Sequence, residues 1–164
     1  MPFYSFDIVS TYDKAEMNNV FEAVRRDIAG RYDFKGSPVS IEWMQDKKGF
    51  LITAANEWQI EAVVDIVRKK MASRALTTKV LDLTKQTKEN NLKATKDVPF
   101  VEGLTQEKSK KIVLILREKF PKIKTQIIGD AVRVSSSSKN ELQETIACIK
   151  LADLDFATSF INFR

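Results

Sequence analysis

Histidine is missing from all 164 residues, and cysteine occurs once. The first absence removes Ser-His-Asp and Cys-His catalysis, histidine proton shuttles and the common histidine-containing zinc sites. The second rules out an internal disulfide and a thiolate metal cage, so neither metal nor cofactor is expected. Cys148 itself falls on the apolar stripe of the last long helical pattern, where a thiol packs as a small hydrophobe. No glycine-rich phosphate loop, dinucleotide fingerprint or nucleophile elbow occurs. The carboxylates are scattered, and without histidine few side chains can serve as a base near neutral pH, so the sequence predicts a protein that is not an enzyme. Long hydrophobic runs are absent too. The opening "MPFYSFDIVS" carries Asp7 and alternates like a strand, which predicts a leaderless cytoplasmic protein with no membrane partner.

What is present is an internal repeat, which predicts a duplicated domain. "KGFLITAANEWQI" (48–60) and "GDAVRVSSSSKNELQ" (129–143) both run from two apolar residues at period 2 through a polar corner into helical spacing. A shift of 82 residues superimposes Phe50 and Ile52 on Val132 and Val134, and Ile60, Val64 and Val67 on Leu142, Ile146 and Ile149. Asn56 and Ser138 coincide as candidate helix N-caps.

Around this repeat the order reads β-α-β-β-α-β twice. "YSFDIVS" alternates as a first strand. Asp13 caps a helix carrying Met17, Val20, Phe21, Val24 and Ile28 on one stripe. "VSIEWMQDKKGFLITA" forms a hairpin in which Gly49 is expected to take positive φ. A helix over about 57–73 and a short strand "KVLDL" (79–83) close the first unit. In the second half, "PFVEG" with the residues before it is the first strand, and Thr105 caps a helix that Pro121 stops. "IKTQIIGDAVRVS" is a hairpin turning at Gly129-Asp130, residues 138–151 are a helix, and "TSFINFR" is a last strand. The expected fold is α+β: two ferredoxin-like units, antiparallel sheets with helices on one face. The expected boundaries are residues 1–84, a linker or exposed ribbon over 85–97, and residues 98–164. Each unit is small enough to need a shared interface or an exchanged strand, and the terminal strands carry nothing that fixes which sheet they join.

Charge separates the halves. Residues 1–82 hold 12 Lys/Arg and 12 Asp/Glu, whereas residues 83–164 hold 15 and 10. The excess concentrates in "EKSKKIVLILREKFPKIK" (107–124), where Lys108, Lys110, Lys111, Lys122 and Lys124 are candidate contacts to single-stranded RNA; a solvated helix face is the plainer account. "KGF" at 48–50 matches the start of an RNA-recognition strand, but the repeated apolar pair makes Phe50 and Ile52 a core face. "RYDFKG" (31–36) sets Arg31, Phe34 and Lys35 at a helix end, where they serve either as dipole partners over a packed ring or as a base-and-phosphate grip. The serine run 135–138 reads as capping rather than as a phosphate cradle.

With "SFDIVS" near the start, "RYDF" after the first helix, "GDAVRV" leading to "LQ", and a terminal "NFR", the sequence resembles the YajQ family of small bacterial proteins over nearly its whole length. That resemblance implies two ferredoxin-like domains with exchanged terminal strands and a nucleotide-binding role. Some members are described as cyclic di-GMP receptors acting through a transcription factor, others as binding RNA or purine nucleotides such as GTP or ATP. By position it implicates Arg31, Asp33 and Phe34, then Asp130 and Arg133, then Asn162, Phe163 and Arg164. Where the family has Gly-Lys before the last long helix, this chain has Ser136 and Ser137, with Lys139 as a partial substitute. The expected phosphate partners are therefore Arg31, Lys35, Arg133, Lys139 and Arg164, with Phe34 as a stacking ring. A protein-interaction adaptor without a small ligand is a further reading.

Overall fold

The computed structural model describes residues 3–164. Its elements in chain order are β1 (Tyr4–Val9), α1 (Lys14–Gly30), β2 (Ser40–Trp43), β3 (Gly49–Ala54), α2 (Glu57–Ser73), β4 (Lys88–Asn90), β5 (Lys93–Pro99), α3 (Gln106–Lys119), β6 (Lys124–Ile128), β7 (Ala131–Ser136), α4 (Lys139–Leu151) and β8 (Ser159–Ile161). The fold is α+β with two four-stranded antiparallel sheets, ordered β6-β7-β1-β8 and β2-β3-β5-β4.

The chain divides into one unit of residues 12–101 and another made of residues 1–11 with 102–164. The second is a βαββαβ unit interrupted after its first strand, because β1 pairs with β7 and β8. The inserted unit runs α-β-β-α-β-β. Its β5 pairs with β3 at the place that a first strand occupies in a ferredoxin-like sheet. Connectivity thus departs from a simple division near residue 84, and residues 93–99, expected as linker and start of the second half, are a central strand of the inserted unit. Their polarity misled because only one face of that strand is covered: Ala94 and Val98 are buried while Thr95 and Asp97 face the other way. Asn91 and Leu92, both at positive φ, turn β4 into β5 as a two-residue hairpin. The expected strand 79–83 is instead a 3-10 turn at Thr78–Val80 followed by a single bridge from Leu81 to Phe100.

Within each unit the helices form where the apolar spacing puts them, and side-chain caps start all four. Asp13, Asn56, Thr105 and Ser138 accept from the backbone N–H of Glu16, Gln59, Lys108 and Glu141. The repeated pairs do line the cores: Phe50, Ile52, Val132 and Val134 are at most 1% exposed. In the inserted unit Phe50 meets Phe21, Trp43 and Phe100 at 4.9–5.9 Å between centroids. In the other, Phe6, Ile8, Val132 and Val134 pack against Ile112 and Leu116 of α3 and Leu142, Ile146 and Ile149 of α4. Burying one such side chain is worth about 1.5–3 kcal/mol.

Gly49 is required for a reason other than the one its turn suggested. Positive φ falls on Asp46 and Lys47 instead. A Cβ on Gly49 would lie 2.6 Å from the Val98 carbonyl oxygen and 2.6 Å from Met44 Sδ, so glycine is what lets β3 approach β5.

Candidate functional site

Strand alternation decides which side chains of the interrupted unit leave the core. Phe6, Ile8, Val132 and Val134 face α3 and α4, so Ser5, Asp7, Arg133 and Ser135 face the opposite side. The β6 register adds Lys124 opposite Ser135 and Gln126 opposite Arg133 on that same side. At its centre Asp7, only 6% exposed, accepts from Arg133 Nε at 2.9 Å and from Nη2 at 3.4 Å.

The chain after β8 completes this cluster through a bulge. Asp7 stands opposite Ile161, yet Ser5 exchanges both backbone hydrogen bonds with Arg164, at 2.9 and 3.2 Å, one residue later than an unbroken register allows. Asn162 absorbs the extra residue at φ +57, a conformation asparagine tolerates better than most side chains. Its amide then donates to Asp7 Oδ2 at 2.9 Å. Because directly opposed residues share a face, Arg164 shares that of Ser5.

Hydrogen bonding from Arg133 holds the Asp7 carboxyl below its ordinary 3.8. Desolvation works against this, while the Asn162 amide and the charges of Arg133 and Arg164 add to it. Asp7 in turn raises the Arg133 value. A guanidinium has five N–H groups, and Asp7 engages two, so three remain for another acceptor on a side chain that is one-third exposed. Among the side chains of this face, Lys124, Arg133 and Arg164 outnumber the one carboxylate, Asp7. Phe3 adds an exposed ring, with Lys124 Nζ 5.0 Å from its centroid.

Lys139 belongs elsewhere. It opens α4 with its Nζ 5.3 Å from the ring of Tyr4, a residue on the helix side of β1. The serine corner beside it is consumed internally. Ser138 caps α4, Ser136 accepts from the Ser138 N–H at 3.0 Å, and the Ser136 hydroxyl donates to Glu141 at 2.7 Å. A carboxylate already occupies the ground that a phosphate cradle would need. Of the basic segment, Lys108 lies over Phe156 at 5.4 Å, while Lys110, Lys111 and Lys122 are exposed.

Arg31, Phe34 and Lys35 lie in the inserted unit, where the helix-end account describes them. Arg31 donates to both oxygens of Asp33, at 3.0 and 2.7 Å, and its guanidinium carbon sits 4.6 Å from the Phe34 centroid. Phe34 is 4% exposed, so the ring expected to stack on a base is covered by its own chain; Tyr32, at 86%, is the exposed ring of this segment. That hydrogen-bonded pairing lowers the Asp33 value and raises that of Arg31. A shallow depression of about 630 Å³ next to Arg31 is lined by Trp58, Lys69, Glu57, Glu61 and Asp65. Its carboxylates outnumber its cations even before Asp33 is counted, so it disfavours a phosphate.

Two residues of this candidate site escaped sequence reasoning. Asp7 reads locally as the polar half of an alternating strand, although its partner stands 126 positions away. Phe3 precedes that strand, and its exposure depends on tertiary packing. Arg133 was reached through the family resemblance of "GDAVRV"; in the repeat it stands where the first copy has Leu51. Among the described residues no group of three His, Cys, Asp or Glu side chains is placed to hold a metal ion, and no helix is long and apolar enough to cross a membrane.

Residues 4–164 match the family described as "Nucleotide-binding protein YajQ-like". Among curated relatives, a "Nucleotide-binding protein" of Streptomyces griseus is 40% identical over 164 residues, covering 98% of each chain. One of Thermobifida fusca is 38% identical, covering 98% of this chain and 97% of its own. A third, from Nostoc punctiforme, is 35% identical over 98% of both. With a full-length family match and relatives well above 30% identity, the chain belongs to the YajQ-like nucleotide-binding protein family.

Proposed function

We propose that this protein binds a nucleotide without turning it over, and that the phosphates rest against Arg133 and Arg164 on the sheet face away from α3 and α4. The supporting observation is Arg133 itself: Asp7 fixes its orientation and uses two of its five N–H groups, leaving the others on a face with surplus positive charge. Ser5, Ser135, Gln126 and Asn162 surround it with neutral polar groups suited to ribose or base edges. Phe3 offers the exposed ring that Phe34 does not. The names of the relatives support the ligand class. The absence of histidine and of a recognisable nucleophile supports a receptor over an enzyme.

Titration calorimetry with cyclic di-GMP, GTP, ATP and a short single-stranded RNA, at two salt concentrations, tests this reading. The expected result is stoichiometric, weakly salt-dependent binding of one nucleotide, reduced about tenfold in Arg164→Gln, the loss of roughly one charge-assisted hydrogen bond. Arg133→Gln alone is unsuitable, because it strands the buried Asp7 carboxylate; Asp7→Asn with Arg133→Gln removes both charges together. Undiminished affinity in both variants overturns the placement of the phosphates. Binding of RNA alone, steeply weakened by salt, favours the basic segment Lys108–Lys124 through counterion release. Silence from every ligand favours an adaptor, with a transcription factor among the partners to test.

A further inference from the structure

Two helix faces on this chain are uncovered and opposite in character. On α2, Trp58 is 68% exposed, and Glu61 and Asp65 follow it at helical spacing along the 630 Å³ depression. On α3, Leu114 is 66% exposed, with Lys110 and Lys111 one turn before it. Large apolar side chains standing this far out of a surface helix contribute nothing to their own unit's core. The carboxylates beside Trp58 gain little at home: Asp65 has only an exposed 3.5 Å contact with Arg68, and exposed pairs of this kind are weak. Each face has a large exposed apolar side chain, and their net charges are opposite: around Trp58 the carboxylates Glu57, Glu61 and Asp65 outnumber Arg31 and Lys69, whereas Leu114 follows Lys110 and Lys111.

We propose that these faces dock on each other between copies of this chain, with the basic face of α3 in one molecule occupying the depression beside Trp58 in the next. The contact is heterologous, since different surfaces meet, so it closes into a ring or propagates as a chain of molecules. Two helix faces alone fall below the roughly 1,200 Å² of total area usual for a stable interface, so association is weak and concentration-dependent. Its charged rim makes it sensitive to salt. A second copy is the occupant favoured by charge complementarity, because the matching face is carried in the same sequence.

Sedimentation equilibrium of the full chain, into the millimolar range at low salt, is the test. The average mass is expected to rise with concentration and to return to that of the monomer in high salt. Glu61→Lys with Asp65→Lys, and separately Lys110→Glu with Lys111→Glu, should each remain monomeric while keeping the wild-type melting temperature, because all four positions lie outside the cores. Mixing the two variants should restore association, since each then presents what the other lacks. Leu114→Ser gives an independent check and should also lower the average mass. A wild-type chain that stays monomeric throughout overturns the proposal. So does association that survives both charge reversals, or a mixture that remains monomeric.

Discussion

The two sheets place an aspartate at the same point and use it differently. In the interrupted unit, β1 sets Asp7 opposite Arg133; in the inserted unit, β5 sets Asp97 opposite Leu51. The 82-residue repeat makes Leu51 and Arg133 equivalent, and strand pairing makes Asp97 and Asp7 equivalent. One position therefore separates a strand pair with an ordinary half-buried carboxylate from one with a buried, arginine-bound cluster. The same strand frame occurs in both sheets, and the chemistry depends on which side chain stands at the middle of the central strand. A second contrast runs through the same strands: the equivalent of Gly49 is Ala131, so a Cβ is accommodated in one copy and excluded in the other.

The largest expected effect breaks that second contrast. Gly49→Ala drives a methyl group into the Val98 carbonyl and should destabilise the inserted unit by about 3 kcal/mol, whereas Ala131→Gly should cost no more than about 1 kcal/mol; urea denaturation measures both. Next comes the aspartate pair. Asp7→Ala leaves Arg133 and Asn162 without their acceptor and should cost about 2 kcal/mol, while Asp97→Ala should stay within about 0.5 kcal/mol. The stability that Asp7 contributes has a defined pH range. Its folded-state value is depressed, so the contribution is fully present above the ordinary 3.8 and is lost as pH falls through the lower folded value. The gap in melting temperature between wild type and Asp7→Asn should accordingly narrow as pH is taken below about 4. The smallest effect belongs to Asn162. Replacement by alanine removes the bond to Asp7 and strains the left-handed backbone, for about 1 kcal/mol, whereas Asn162→Gly keeps the bend and should cost less.

Most local features were legible in the sequence because they have local causes. Four capping residues, four amphipathic stripes and the hairpin at Gly129 follow from spacing and side-chain chemistry, and each appears in the structure. What escaped depends on contacts between distant segments. "YSFDIV" alternates in the same way whichever sheet it joins, so its pairing with β7 had no local signature. "KATKDVP" looks like a linker because its buried positions are Ala94 and Val98, with Lys96 between them on the same face and Thr95 and Asp97 on the other. At the candidate site the family motif led to Arg133, Asn162 and Arg164, yet not to the carboxylate that gathers them. Phe34 was open to two readings for a related reason: a ring beside a basic residue has the same sequence pattern whether it lies under the guanidinium or free in solvent.

The interruption of one unit by the other also sets an order of assembly during synthesis. The ribosome makes β1 first, but its neighbours β7 and β8 come more than a hundred residues later. Every strand of the inserted unit has been made by residue 99, before α3 begins at Gln106. The strand carrying Asp7 must therefore wait, unpaired, while that unit acquires all of its parts. Asn162 reaches Asp7 across 155 positions, so the cluster around this carboxylate forms only after translation has passed both sheets. A chain that stalls before β7 carries Asp7 without Arg133, and by that lack an unfinished product is chemically distinct from a finished one.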